Sequence, residues 1–163
     1  MLDFGAQPQE SSARRDELVS KLAVENKLQH AKLDFLIYCP RRIIGFETDE
    51  GQHKSYNLSC EQARMADVQS SLLLGGDTRP LLFIRYNPHA FRVKGQLIKL
   101  KKRDREARLV EHIKQLMSDE PIQPNPFAIH FMYFDTADGL RPAVCDDPDW
   151  NHHWDGCVSL INA

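Results

Sequence analysis

The run PLLFIRY, from Pro80 to Tyr86, constrains the fold more than any other part of the chain. Its first five residues are all apolar, so the strand it predicts has two faces to cover. A central position in a sheet meets that need, and an edge position does not.

The neighbouring segments supply the rest of such a sheet. Leu33, Phe35 and Ile37 alternate with Asp34, Leu36 and Tyr38 until Pro40 interrupts the run. A tight connection then leads into RIIGFETD, Arg42 to Asp49, with Gly45, Glu47 and Asp49 on one face and Ile44, Phe46 and Thr48 on the other. The pair predicts an antiparallel hairpin. AIHFMYF, Ala128 to Phe134, is a further strand. Helical spacing recurs from Ser11 or Ser12 to about Gln29, through Leu18, Leu22, Val24 and Leu28. It recurs from Ser59, set three residues before Gln62 as in a capping box, to the Gly75-Gly76 pair. A third helix is predicted over Asp104 to Met117, with Leu109, Ile113 and Leu116 facing inward.

The order helix, strand, strand, irregular segment or short strand, helix, strand, helix, strand predicts an α/β sandwich, a small mixed sheet with helices on its faces. We expect a flexible arm over 1–14, one domain over 15–135, and an irregular cap over 136–163 belonging to that domain. There is no internal repeat.

Composition excludes several classes. With 163 residues, 42% hydrophobic and 27% charged, the chain is neither a disordered tail nor a fibre. Its 21 Lys and Arg against 23 Asp and Glu leave a formal charge of -2, so any polyanion site must be local. No apolar run approaches the roughly 20 residues needed to cross a bilayer, and no charged-then-apolar leader opens the sequence. The expectation is a soluble intracellular protein, cytoplasmic or nuclear. Cys39, Cys60, Cys145 and Cys157 then read as free thiols or metal ligands in preference to disulfides.

Chemistry concentrates around the hairpin. Asp34 lies among apolar strand residues, and Glu47 and Asp49 follow Ile43, Ile44 and Phe46. Carboxylates beside a core are costly unless paired, hydrogen-bonded or bound to a cation. Three such oxygens at one strand end suit Mg²⁺ or Mn²⁺, and Glu50, Gln52 and His53 follow directly, His53 being able to position or deprotonate a water. The opposing account places Asp34 toward solvent, Glu47 and Asp49 on a wet sheet face, and His53 in an ordinary loop.

The string DFLIYCPRRIIGFETDEGQHKSY, with the following SCEQARM and PLLFIRYNP, resembles the PD-(D/E)XK restriction-endonuclease-like superfamily, in the branch near very-short-patch repair endonucleases and related small nuclease-like proteins. The likeness extends over about residues 15 to 135 in fold order and is specific over 34 to 88. It implies a restriction-endonuclease-like sandwich with a central mixed sheet flanked by helices, built on a three-strand meander. It also implies a magnesium- or manganese-dependent nuclease, and the expectation is an endonuclease hydrolysing DNA phosphodiester bonds, with RNA the lesser candidate partner and a homodimer one candidate assembly.

By position, Asp34 resembles the first metal-binding aspartate and Glu47 the acidic residue of the next strand. Asp49 stands where many members carry lysine, and His53 resembles the histidine that follows an acidic residue in this branch. Arg64 and Arg85 resemble basic positions near the site. Glu25, on the first helix, is a further candidate acid, Gln52 would orient water or phosphate, and Tyr56 would support the loop. The missing lysine admits an inactive, nucleic-acid-binding relative, and a purely structural protein is the remaining alternative.

Arg92, Lys94, Lys99, Lys101, Lys102, Arg103, Arg105 and Arg108 form a basic stretch suited to successive phosphates, with Phe91 available for base stacking. Its alternative is a solvated helix face. In the tail, Cys145, His152, His153 and Cys157 read as a packed cap with Trp150 and Trp154 in preference to a zinc site. Cys60 reads as a packing residue and not a nucleophile.

Overall fold

The computed structural model describes residues 33–54, 56–118 and 125–162. The predicted first helix and Glu25 lie outside them. Strand β1 (Phe35–Tyr38) pairs antiparallel with β2 (Ile43–Thr48), with Phe35 opposite Phe46 and Tyr38 opposite Ile43. This is the expected hairpin. Helix α1 (Leu58–Leu74) then carries the chain to β3 (Leu81–Tyr86), which lies parallel to β2 and is buried along its whole length. After a small hairpin of β4 (Arg92–Val93) and β5 (Gln96–Leu97), helix α2 (Lys102–Met117) leads to β6 (Phe127–Met132), parallel to β3.

The sheet has five strands in the order β1-β2-β3-β6-β7, with only β1 running against the others. The chain is therefore α/β with a mixed sheet, and PLLFIRY occupies its centre. Among the described residues the hairpin continues into a helix and a parallel strand, so no third antiparallel strand completes a meander. Strand β7 (Val158–Ile161) corrects the reading of the tail, since these residues extend the central sheet beside β6. All these elements belong to one compact unit, Ala31–Ala163.

Two apolar layers sandwich the sheet. Met65 and Val68 of α1 pack with Ile43, Phe83 and Ile129 on one face, and Leu109 of α2 packs with Ile44, Ile84 and Met132 on the other. Strand order advances in one direction while the crossovers lie on opposite faces, so the two crossovers have opposite hands. One of them thus departs from the usual right-handed connection, after the excursion over 87–101 has moved the chain to the second face. Gly45 sits in the middle of β2 because the Phe83 ring lies over it: a Cβ there would stand 2.8 Å from the ring.

Local details differ from the sequence reading in instructive ways. Asn57, not Ser59, caps α1, and its side-chain oxygen accepts from the Ser59 and Cys60 backbone N–H groups. Phe91 is buried against Tyr133 and so has no surface to offer a base. Cys60 is exposed on the first turn of α1, where packing does not hold it.

Candidate active site

The site is built at the carboxyl ends of β2 and β3, where open parallel sheets place their ligand crevices. Because β2 and β3 run parallel with Glu47 opposite Arg85, both side chains emerge on the face covered by α1. Asp49, two residues after Glu47, shares that face. Helix α1 adds Glu61 and Arg64 from above.

These five side chains form an alternating chain of charge. Arg85 donates through Nε and Nη2 to both oxygens of Asp49, at 2.6 and 2.9 Å, and through Nη2 to Glu61 at 2.7 Å. Arg64 then donates to Glu61 at 3.1 Å and to Glu47 at 2.9 Å. Asp49 and Arg85 are almost wholly buried. Burial alone would weaken the charge of Arg85, but Asp49 and Glu61 outweigh it, so the guanidinium stays firmly protonated. Glu47 goes the other way: burial raises its carboxyl above the usual range despite Arg64 and Arg85. Its Oε1 is buried and has no hydrogen-bond partner.

Asp34 lies one residue beyond the last registered pair of the hairpin. Its carboxylate accepts the Thr48 backbone N–H at 2.8 Å, ending the ladder. Asp34, Glu47 and Asp49 therefore do not form the convergent triad expected of them. Among the described residues no group of three or more His, Cys, Asp and Glu side chains is set to hold a metal ion. The donors still fit a hard cation in kind, since all are carboxylate oxygens with more lone pairs than their hydrogen bonds use. Glu47 Oε1 fits best, being buried without a partner.

The turn after β2 is a short 3-10 segment, Glu50–His53, with Gly51 and Gln52 in the left-handed region at φ 62° each. Gln52 lines the pocket beside the turn and has its side-chain oxygen committed within the fold. Its Oε1 accepts the Asp135 backbone N–H at 2.8 Å, tying the turn to the segment after β6. His53 ends this turn, but its side chain lies outside the described groups.

A pocket of about 390 Å³ opens beside the turn. Met65, Phe131, Phe134 and Trp150 give it an apolar part, and Asp49, Glu61, Asp135, Asp146 and Asp147 line it against Lys54 and Arg85, with Tyr56 also in the lining. Lys54 bonds Asp135 at 2.6 Å. Burial pulls the Asp135 carboxyl upward, but Lys54, the Arg92 N–H and Gln52 hold it below its usual range.

Glu61, Lys54 and Asp135 are absent from the sequence reading. Only Glu61 had a local cue, Arg64 three residues further on. Arg85 and Arg64 do lie at the acidic residues, although Arg85 is buried among carboxylates and is not open to a phosphate.

The basic stretch divides. Lys101, Lys102 and Arg103 are exposed at the start of α2, whereas Arg105 is buried and donates to the carbonyls of Asn87, Pro88 and His89. Cys145 and Trp150 are buried in the core, and Trp154 packs against it.

Comparison with protein-family models, with curated proteins and with solved structures returns no match. No helix among the described residues is long and apolar enough to cross a membrane.

Proposed function

We propose that the chain is a divalent-metal-dependent endonuclease hydrolysing DNA phosphodiester bonds. The observation that carries this reading is Glu47 at the carboxyl end of β2, buried, facing Asp49's side of the sheet and holding one oxygen without a partner. A buried acceptor left unsatisfied is costly, and a cation is one of the few groups that remove that cost for a carboxylate.

Mg²⁺ or Mn²⁺ at the free oxygen of Glu47 would have to draw Asp49 and Asp34 toward it to be held by all three, and there it would neutralise charge at the scissile phosphate and acidify a water. Arg64 fixes the second oxygen of Glu47, so the free oxygen keeps one direction. Arg85 fixes Asp49 in the same way. His53 handles the attacking water, Gln52 holds the turn that carries it, and Lys101, Lys102 and Arg103 hold the DNA backbone. The surplus of acid around the pocket has the wrong sign for a bare phosphate and the right one for a phosphate accompanied by a cation.

A second reading has its own observation. Both oxygens of Asp49 already accept from Arg85, and such pairing favours a nuclease-like nucleic-acid-binding module without turnover. Magnesium-dependent cleavage of supercoiled, linear and single-stranded DNA by the purified protein decides between them. Activity lost in Glu47→Gln and Asp34→Asn, with folding retained, is the expected result. Full magnesium-dependent activity in both variants would remove these residues from the site, and DNA binding without cleavage by the parent would favour the second reading.

A further inference from the structure

The left-handed turn at Gly51 and Gln52 needs an account of its own. Glycine adopts φ 62° freely, but glutamine does so only where its surroundings hold it there. Three bonds hold this turn: Gln52 N–H to the Asp49 carbonyl at 2.9 Å, Asp135 N–H to Gln52 Oε1, and Gly51 N–H to His89 Nδ1 at 3.1 Å. The last comes from a residue 38 positions away.

His89 is itself rigidly placed. Its backbone N–H donates to Asn87 Oδ1 at 3.0 Å, and its carbonyl accepts from Arg105 at 2.6 Å and from Asn87 Nδ2 at 3.3 Å. Asn87 is wholly buried and donates to the Tyr133 carbonyl at 2.8 Å, while Arg105 reaches in from α2. The imidazole thus stands on a backbone anchored to β3, β6 and α2, and its Nδ1 receives the N–H that opens the strained turn. A backbone N–H can only donate, so Nδ1 must be the unprotonated nitrogen and the neutral ring carries its proton on Nε2.

We propose that His89 is a positioning residue that fixes the turn carrying Gln52 and His53 beside Glu47 and Asp49; its effect on cleavage rests on the nuclease reading. Asparagine places an oxygen on Cγ where histidine has Nδ1, so it keeps the acceptor. Glutamine sets its polar atoms one bond further out, and alanine has none.

The test uses the full chain labelled with ¹⁵N. Long-range proton–nitrogen correlation spectra of the parent should show His89 as the Nε2–H tautomer. Amide exchange at Gly51 should accelerate by about 10-fold or more in His89→Ala and His89→Gln and return to near the parent rate in His89→Asn, as expected when one local bond governs opening. Magnesium-dependent kcat should follow the same order, with KM little changed. Equal Gly51 exchange in parent and His89→Ala, or an Nδ1–H tautomer in the parent, would overturn the assignment. Exchange decides the clamp whether or not DNA is cut, so a parent that shows the exchange pattern but never cleaves DNA sinks the nuclease reading alone.

Discussion

Arg85 and Asp49 meet across adjacent parallel strands in a two-pronged ion pair, both side chains shielded from water and separated by 36 residues in sequence. Removing one partner strands the other as a buried charge. Arg85→Met should therefore cost about 3–5 kcal/mol of unfolding free energy. Adding Asp49→Leu should recover much of that loss, and the cycle should show a coupling of about 1–3 kcal/mol in urea unfolding. Strictly additive single changes would mean that the pair is not coupled in the folded protein.

Lys101, Lys102 and Arg103 test the surface that would hold a phosphate backbone. Lys102 makes only a loose, exposed pair with Glu106 at 3.6 Å, so replacing all three with Ala should leave stability within about 0.5 kcal/mol. DNA affinity should fall for all sequences together, and the slope of log K against log salt should become shallower by roughly 2–3. An unchanged slope would leave α2 with a merely solvated face.

His130 on β6 and His112 on α2 face each other at 2.9 Å, Nδ1 to Nε2. Burial, with His112 and Arg42 nearby, lowers His130 to about 4 from an ordinary 6.5. The unfolded chain therefore binds this proton first. Stability from the neutral ring is fully present above about pH 6.5 and drains away as pH falls toward 4, by up to about 3 kcal/mol. His130→Gln should flatten the stability curve between those limits. If the variant and parent lose stability equally over that range, the acid sensitivity lies elsewhere.

Gly45 has no room for a side chain beneath Phe83. Gly45→Ala should destabilise the protein by about 1–3 kcal/mol through overpacking, unlike most glycine-to-alanine changes in a strand. Pairing it with Phe83→Leu should return part of the loss. A more stable Gly45→Ala protein in thermal unfolding would show that the ring moves aside freely.

Much of the framework was legible from local pattern. Alternation from Leu33 to Asp49 marked the hairpin, the apolar run from Pro80 marked the central strand, and helical spacing marked α1 and α2, because each signal spans only a few residues. Glu47 and Asp49 were placed on one face by strand periodicity alone. What the tertiary structure decided is who meets them. Arg85 reaches Asp49 and Glu61 because β3 lies parallel to β2 in one register, and Arg64 reaches Glu47 because α1 crosses that face. The same is true of His89 at Gly51, of Arg105 turned inward from a basic run, and of Val158–Ile161, whose place in the sheet depends on the edge of β6. Periodicity records which way a side chain points from its own backbone. Its partner is set by packing between segments far apart in the chain, and there the sequence carries no local mark.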